Sequence, residues 1–574
     1  MKRTFSIYFL LIIFILGLHL VVFRIDFSPN AIKPVAVNTE LVNSSEWGRI
    51  ISNDINSKQI KILVDGKIEK TGIDDLYMNE DLQLMISADI LTDIFSCAVN
   101  VYNSERIIVE KYNNRLIVTN NQKNMMLDNK SVMLETEIIK EGDRFFVPQD
   151  VVEKGLSYTY KWDVQNNTAI FSNEKNGEKI FPYTYDYRKK KKLPDIKNQS
   201  TFGTCWAFAA LTALESSMAP EKIIDFSEDH MSINNNFSMT QDDGGEYTMA
   251  IAYLASWTGP VLEADDPYGD GYSPDNLEAV VHLQEAQVLE AKNYDSIKRA
   301  VFLYGGVQSS LYMQMHNSKG RSEFYSSKTG AYCYIGPDKP NHDVVIIGWD
   351  DTYPAENFNN VPDGDGAFIC VNSWGKEFAE DGVFYVSYYD SNIGMHNVVY
   401  TRVDDIDNYD NIYQSDLCGW VGQIGYDREY AYFSNVYEAN GDEVLKAVSF
   451  YATGINTEYE IFVVEDFVDT SSFSKRKAIS SGSFSNSGYY TVDIDEEIKL
   501  EAGKKYAIVV YISTPNSKKP VAIEYCGDSS TENVIISDGE GYMSAQGDTW
   551  FRVENNKQCN LCLKMFTDNI IENE

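Results

Sequence analysis

A chain of 574 residues has room for three or four domains. Its formal charge of −36 argues against a nucleic-acid partner, because phosphates call for a basic face. The eight cysteines are scattered from Cys97 to Cys562, which excludes a dense disulfide framework, and the Cys559-x-x-Cys562 pair has no second ligand pair near it, so no metal site is expected there.

Lys2 and Arg3 precede an almost uncharged run, Thr4 to Phe23, followed by Arg24. The run is longer than an ordinary signal core and long enough to cross a bilayer, and no small-x-small cleavage site follows closely. Residues 1–24 therefore read as an uncleaved membrane anchor in preference to a cleaved signal peptide. The bulk of the chain would be exported, extracellular or at the cell surface. Residues 25–57 read as a polar tether.

Residues 58–174 form a separate α+β module. Ile60 to Lys67 is a strand with a tight turn, and Ser87 to Ser96 is a short helix. Arg106–Val109 and Leu116–Val118 flank Asn113-Asn114, a hairpin signal. Phe145 to Pro148 and Tyr160 to Asp163 close the unit. This order of elements resembles the small domain related to the N-terminal domain of copper amine oxidases. The segment holds no histidine, so no copper is expected, and a spacer or docking role is preferred. Arg188 to Lys192 are five basic residues in a row, read as a solvated linker in preference to a processing site.

The segment Asn198 to Phe208 is the most informative. Gly203 allows a sharp turn, and Thr204 is a fair N-cap. From Trp206 to Met218 there is no glycine or proline, and Ala207, Leu211, Leu214 and Met218 recur at helical spacing until Pro220 stops the helix. The helix is apolar on most faces, so burial is expected, and Glu215 within it requires a partner. Cys205 stands at its start, where the positive end of the helix dipole favours a thiolate. Gln199, six residues earlier, is a candidate donor to an oxyanion. Taken alone, Cys205 reads equally well as an inert core cysteine.

A nucleophile needs a base, and the chain has six histidines. His19 lies in the N-terminal apolar run. His230, His282, His316 and His396 sit in polar surroundings and read as surface residues. His342 leads directly into Val344-Val345-Ile346-Ile347, a buried-strand pattern. Phe368 to Val371 is a second such strand and ends in Asn372-Ser373-Trp374-Gly375. Asn372 can fix the imidazole tautomer as the third member of a triad, and Trp374 can shield that bond.

Gln199, Cys205, His342 and Asn372 in this order resemble the papain-like cysteine peptidases over residues 183–402. Phe226-Ser227-Glu228, Asp243-Gly244-Gly245, Asp266-Pro267-Tyr268 and Glu380 to Tyr388 resemble further family segments. The resemblance implies an α+β catalytic domain with a helical lobe and a β-barrel lobe, and a catalytic set of Cys205, His342, Asn372 and Gln199 with no cofactor. It also implies substrate contacts from Gly244, Gly245, Asp343 and Trp374. Two departures stand out. Phe202 replaces a cysteine that the family often bridges to the glycine-pair loop, so packing must hold that wall. Asp343 replaces a small residue bordering the S2 pocket, which suggests a basic P2 side chain, although an Asp343 turned away into solvent or a salt bridge is the preferred reading. Asp350 to Gly366 reads as a surface loop.

From 404 to 568, short strands rich in Val, Ile, Tyr and Phe alternate with turns. Lys446–Tyr451, Glu458–Val464, Tyr489–Val492, Lys505–Tyr511 and Pro520–Glu524 predict a β-sandwich. The segments Gly541 to Ser544, Thr549-Trp550 and Asn560 to Phe566 resemble the lectin-like domain of clostridial-type surface peptidases, implying a cell-wall glycan partner. Asp404, Asp405, Asp407 and Asp410 are candidates to bind calcium, with a solvated acidic linker preferred. The whole reads as a multidomain, exported cysteine endopeptidase acting on proteins or peptides. The alternatives are a catalytically silent surface adhesin, a cell-wall transpeptidase or amidase, and a chain inactive until an unidentified cleavage.

Overall fold

A computed structural model describes residues 55–570, apart from 57–58, 65–66, 73, 104, 112–113, 128–129, 143, 164–166, 173–182, 191–192, 221 and 275. The proposed anchor at 4–23 and most of the tether lie outside the described residues. Among those described, no helix is long and apolar enough to cross a membrane.

The N-terminal module is built from two four-stranded sheets and a five-stranded antiparallel sheet running from Ala98 to Met133. These surround a core of Leu84, Leu91, Phe95, Val109, Val118, Val147 and Phe171. Its helix spans Ala88–Asp93. The hairpin Arg106–Lys111/Asn114–Thr119 pairs as its sequence suggests, its turn residues 112–113 being outside the description.

The next unit has two lobes. In the first, the helix Cys205–Met218 is rich in alanine, which favours the helical backbone, and it is buried along nearly its whole length. It packs with the helix Tyr247–Ala255 around Leu211, Leu214, Phe226 and Tyr253. Glu215 finds its partner in Lys197, whose ammonium lies 2.7 Å from Glu215 and from Glu228, with Asp225 at 2.8 Å. The second lobe is a sheet. The strand His342–Asp350 is paired on one side with Val307–Leu311 and on the other with Ala367–Val371. With both neighbours in place its β-branched run is buried on both faces. Ile346, Trp349, Phe368, Phe384 and Val399 form the core of this lobe.

The segment 350–366 is a surface loop as expected, anchored by Tyr353 and Phe358, which pack against Ala331, Cys333 and Ala367. One expectation for this unit needs correction. Arg188 is not part of a solvated linker. It forks onto Asp186, which pairs with Gly348 on the His342 strand, while Tyr187 is buried and donates its hydroxyl to the Ser216 carbonyl.

The C-terminal domain is a sandwich. A six-stranded sheet faces the strands Glu443–Ala452, Ser487–Leu500 and Leu563–Asn569 across Phe433, Phe450, Ile461, Ile508 and Met565. It is not a separate bead. Ser487–Leu500 pairs with Val281–Leu289 of the preceding unit, so one thirteen-stranded sheet runs through both.

Candidate active site

Strand register assembles the site. Val345 opposes Val371, which brings Asn372, the next residue, alongside the start of the His342 strand. His342 Nε2 lies 2.8 Å from Asn372 Oδ1, and the Ser373 backbone N–H also donates to that oxygen. An atom facing a backbone N–H must be the amide oxygen, and it only accepts. His342 therefore carries its proton on Nε2, leaving the Nδ1 lone pair free. The Trp374 ring lies 5.0 Å from the imidazole and shields the bond.

Cys205 is the first residue of its helix and is half-buried. Thr204 occupies the N-cap position, but its hydroxyl bonds the Tyr268 hydroxyl at 2.7 Å and makes no cap bond. The helix-start amides are thus left to the sulfur. Burial pushes the Cys205 thiol up to about 12 and the Asp343 carboxylate adds to this, while the N–H groups of Asp343, Trp206 and Cys205 act in the opposite direction. Burial also brings His342 down to about 4, opposed by its bond to Asn372. Each charge alone is disfavoured, so ionisation depends on the two charges forming together.

Gln199 is buried at the edge of the same cleft. Its Oε1 accepts from Ser373 Oγ at 2.6 Å, and one Nε2 hydrogen goes to the Phe202 carbonyl at 2.7 Å. The second Nε2 hydrogen is uncommitted. The cleft has a volume of about 630 Å³ and is lined by Gln199, Cys205, Gly244, Gly245, His342, Asp343 and Trp374 among others.

All eight cysteines are free, so no disulfide holds the wall. Backbone approach and aromatic packing hold it instead. A side chain on Gly203 would come within 3.0 Å of the Gln241 carbonyl, and one on Gly245 within 2.4 Å of the Trp206 indole. Tyr268 meets Phe208 edge to face at 4.8 Å, also touches Phe202, and donates its hydroxyl to the Gln199 carbonyl.

Asp343 is turned neither to solvent nor into a salt bridge. It lines the cleft wall, 9 % exposed, and its Oδ2 accepts from Gln308 Nε2 at 2.8 Å. The remaining histidines divide. His230 is buried against the Tyr253 hydroxyl, and His282 is buried and stacked on Trp257 at 3.8 Å, so neither is a surface residue. His316 and His396 are exposed as expected, but both line the cleft. Their distance in sequence from the catalytic motifs gave no signal of this.

In the C-terminal region, Asp404 pairs with Arg402, Asp405 with Lys222, and Asp410 accepts the Asn569 backbone N–H. Among the described residues no group of three or more His, Cys, Asp or Glu side chains gathers as a cation site.

Comparison with known proteins finds three family matches. Residues 64–171 match the copper amine oxidase N-terminal domain, 181–403 the papain family cysteine protease, and 412–567 the lectin like domain. A viral cathepsin of Rachiplusia ou multiple nucleopolyhedrovirus is 26 % identical over 305 residues, 52 % of this chain and 85 % of the relative. Pro-cathepsin H of Mus musculus is 28 % identical over 241 residues, 40 % of this chain and 68 % of the relative. Among solved structures, the cysteine protease and lectin-like domains of Cwp84, a surface layer associated protein of Clostridium difficile, match with a TM-score of 0.59 at 24 % identity. That match covers 68 % of this chain and 89 % of the other, and establishes the shared fold.

Proposed function

Residues 181–403 belong to the papain family of cysteine proteases, and from that premise we propose that the chain is an exported endopeptidase working through Cys205, His342 and Asn372. The observation that carries the proposal is the His342–Asn372 bond, which leaves Nδ1 free in the cleft that Cys205 lines. His342 Nδ1 takes the thiol proton, and the thiolate attacks the scissile carbonyl carbon. The Cys205 N–H and the uncommitted Gln199 Nε2–H receive the oxyanion. Imidazolium returns its proton to the departing amine, leaving a thioester on Cys205. His342 then takes a proton from water, whose oxygen displaces the sulfur and releases the acid product. Gly244 and Gly245 seat the residues before the scissile bond, with Asp343 and Trp374 on the facing wall.

Surface location is supported by the apolar run 4–23 and by the description of Cwp84 as surface layer associated. The lectin-like match supports a cell-wall glycan as a second partner. Labelling by an epoxide inhibitor of papain-like enzymes tests the proposal. Label on Cys205, lost in Cys205→Ala, is expected; no label on the intact protein would instead favour a silent adhesin. Addition of an amine nucleophile distinguishes hydrolysis from a transpeptidase reaction by its products.

A further inference from the structure

Asn341 and Asp343 flank His342 in sequence, and the cleft wall changes character on either side of it. Asp242, Asp243 and Glu246 stand exposed around Gly244 and Gly245, and Asp343 lies across the cleft within electrostatic reach of Glu246. The basic group beside these carboxylates is His396, which packs on Tyr247 and interacts with Asp343. Asp243 is committed to Thr240, whereas Asp242 and Glu246 take part in no ion pair among the described residues. Asn341 accepts the Met313 backbone N–H at 2.7 Å, and the buried side chains of Met313 and Met315 form an apolar floor. His316 and Lys339 stand exposed at its rim, and Lys319 and Arg321 follow in the same exposed segment. The carboxylates nearest in sequence are Glu323 and Asp338, and Asp338 accepts the Tyr334 hydroxyl. Among the described residues none of Lys319, Arg321 or Lys339 has an ion-pair partner. Unpaired cations are notable in a chain with 85 acidic and 49 basic side chains.

We propose that this cleft selects polypeptide segments with basic side chains before the scissile bond and acidic side chains after it. The inference rests on the reading that Gly244 and Gly245 seat the residues before that bond. Glu246 and Asp242 are the exposed charges that meet the basic side chains. Buried Asp343, already bonded to Gln308, adds field without a direct ion pair. Past the scissile bond, the methionine floor takes an apolar stem while Lys339 and His316 receive the carboxylates.

Two internally quenched peptides of identical composition test this. One carries Lys at the second and third positions before the bond and Glu at the second and third after it, and the other has these charges exchanged. With exposed ion pairs each contributing a few-fold, kcat/KM of the full chain should favour the first by about tenfold at low salt. The ratio should approach unity as the screening length shortens to about 3 Å at 1 M salt. Glu246→Gln and Lys339→Gln should each reduce the low-salt ratio. An equal or inverted ratio, or one indifferent to salt, in protein that labels fully with the epoxide overturns the charge pattern. If neither labelling nor cleavage occurs, the peptidase reading fails. The binding ratio of the same two peptides to Cys205→Ala then decides the charge pattern independently, equal binding overturning it.

Discussion

The N-terminal module meets the peptidase domain through Arg299, whose guanidinium donates to the carbonyls of Thr92 and Asp93 at 2.5 and 2.7 Å. A cavity of about 600 Å³ opens between the two, lined by Cys97, Val99, Met218, Tyr304 and Arg402. The C-terminal domain is joined quite differently. Its strand Ser487–Leu500 continues the peptidase sheet, and Tyr451, Tyr489, Ala522 and Cys562 belong to the same buried cluster as the Cys205 helix. Its loops also reach the segment before the glycine pair, where the Ser238 backbone N–H donates to the Ser530 carbonyl and Asn236 donates to that of Leu417. The lesson is that the N-terminal module is an appendage at the far end of the Cys205 helix, near Met218, whereas the lectin-like domain is part of the structure that holds the cleft.

Truncation after residue 403 should have the largest effect. It exposes the apolar cluster around Tyr253 and a raw sheet edge at Val281–Leu289, so the fragment is expected to aggregate and to lose epoxide labelling. A soluble, fully labelled fragment would break the comparison. Next, Tyr451→Ala should cost about 3–5 kcal/mol in chemical denaturation, as for other large buried aromatics. Tyr451→Phe should be neutral or stabilising, because the buried Tyr451 hydroxyl has no partner among the described residues. Arg299→Ala should cost about 1–3 kcal/mol at the N-terminal contact only, read as faster proteolytic release of that module with peptide hydrolysis unchanged.

The smallest effect concerns pH at the C-terminal seam. His282 stacks on Trp257, which also packs against Phe566, and burial holds its pKa below the ordinary 6.5. The unfolded chain therefore binds this proton more readily than the folded one. The contribution is complete above 6.5 and is lost as pH falls below it. Denaturation midpoints should drop over that window, and His282→Gln should flatten the slope. An identical slope in the variant would remove His282 from the seam's energetics.

Some of this was legible in the residues alone. The helix at Cys205 could be read because alanine and leucine recur at helical spacing up to Pro220. The His342 and Asn372 strands could be read because their apolar runs are short and end at polar residues. Glu215 announced its need for a partner, but Lys197 was invisible because it lies 18 residues away and meets Glu215 only when the chain folds back. The same holds for His230. It has polar neighbours in sequence and is buried by Tyr253, whereas His282 stands between Val281 and Leu283, an apolar signal that the sequence reading missed, and stacks on Trp257.

The residues alone suggested Cys205, His342 and Asn372 as an ordered set, since each lies in a short motif whose local structure follows from its own neighbours. Resemblance of short segments to known families suggested the domain types, while the pattern of strands and turns by itself reached only the β-sandwich of residues 404–568. Only the tertiary structure decided that His342 keeps Nδ1 free, that Thr204 leaves the helix start uncapped, and that Asp343 faces the cleft while bonded to Gln308. It also decided that Glu246 and Lys339, 93 residues apart, line one cleft. Those properties depend on distances between remote segments, which the register of the central sheet and the packing of two lobes set together.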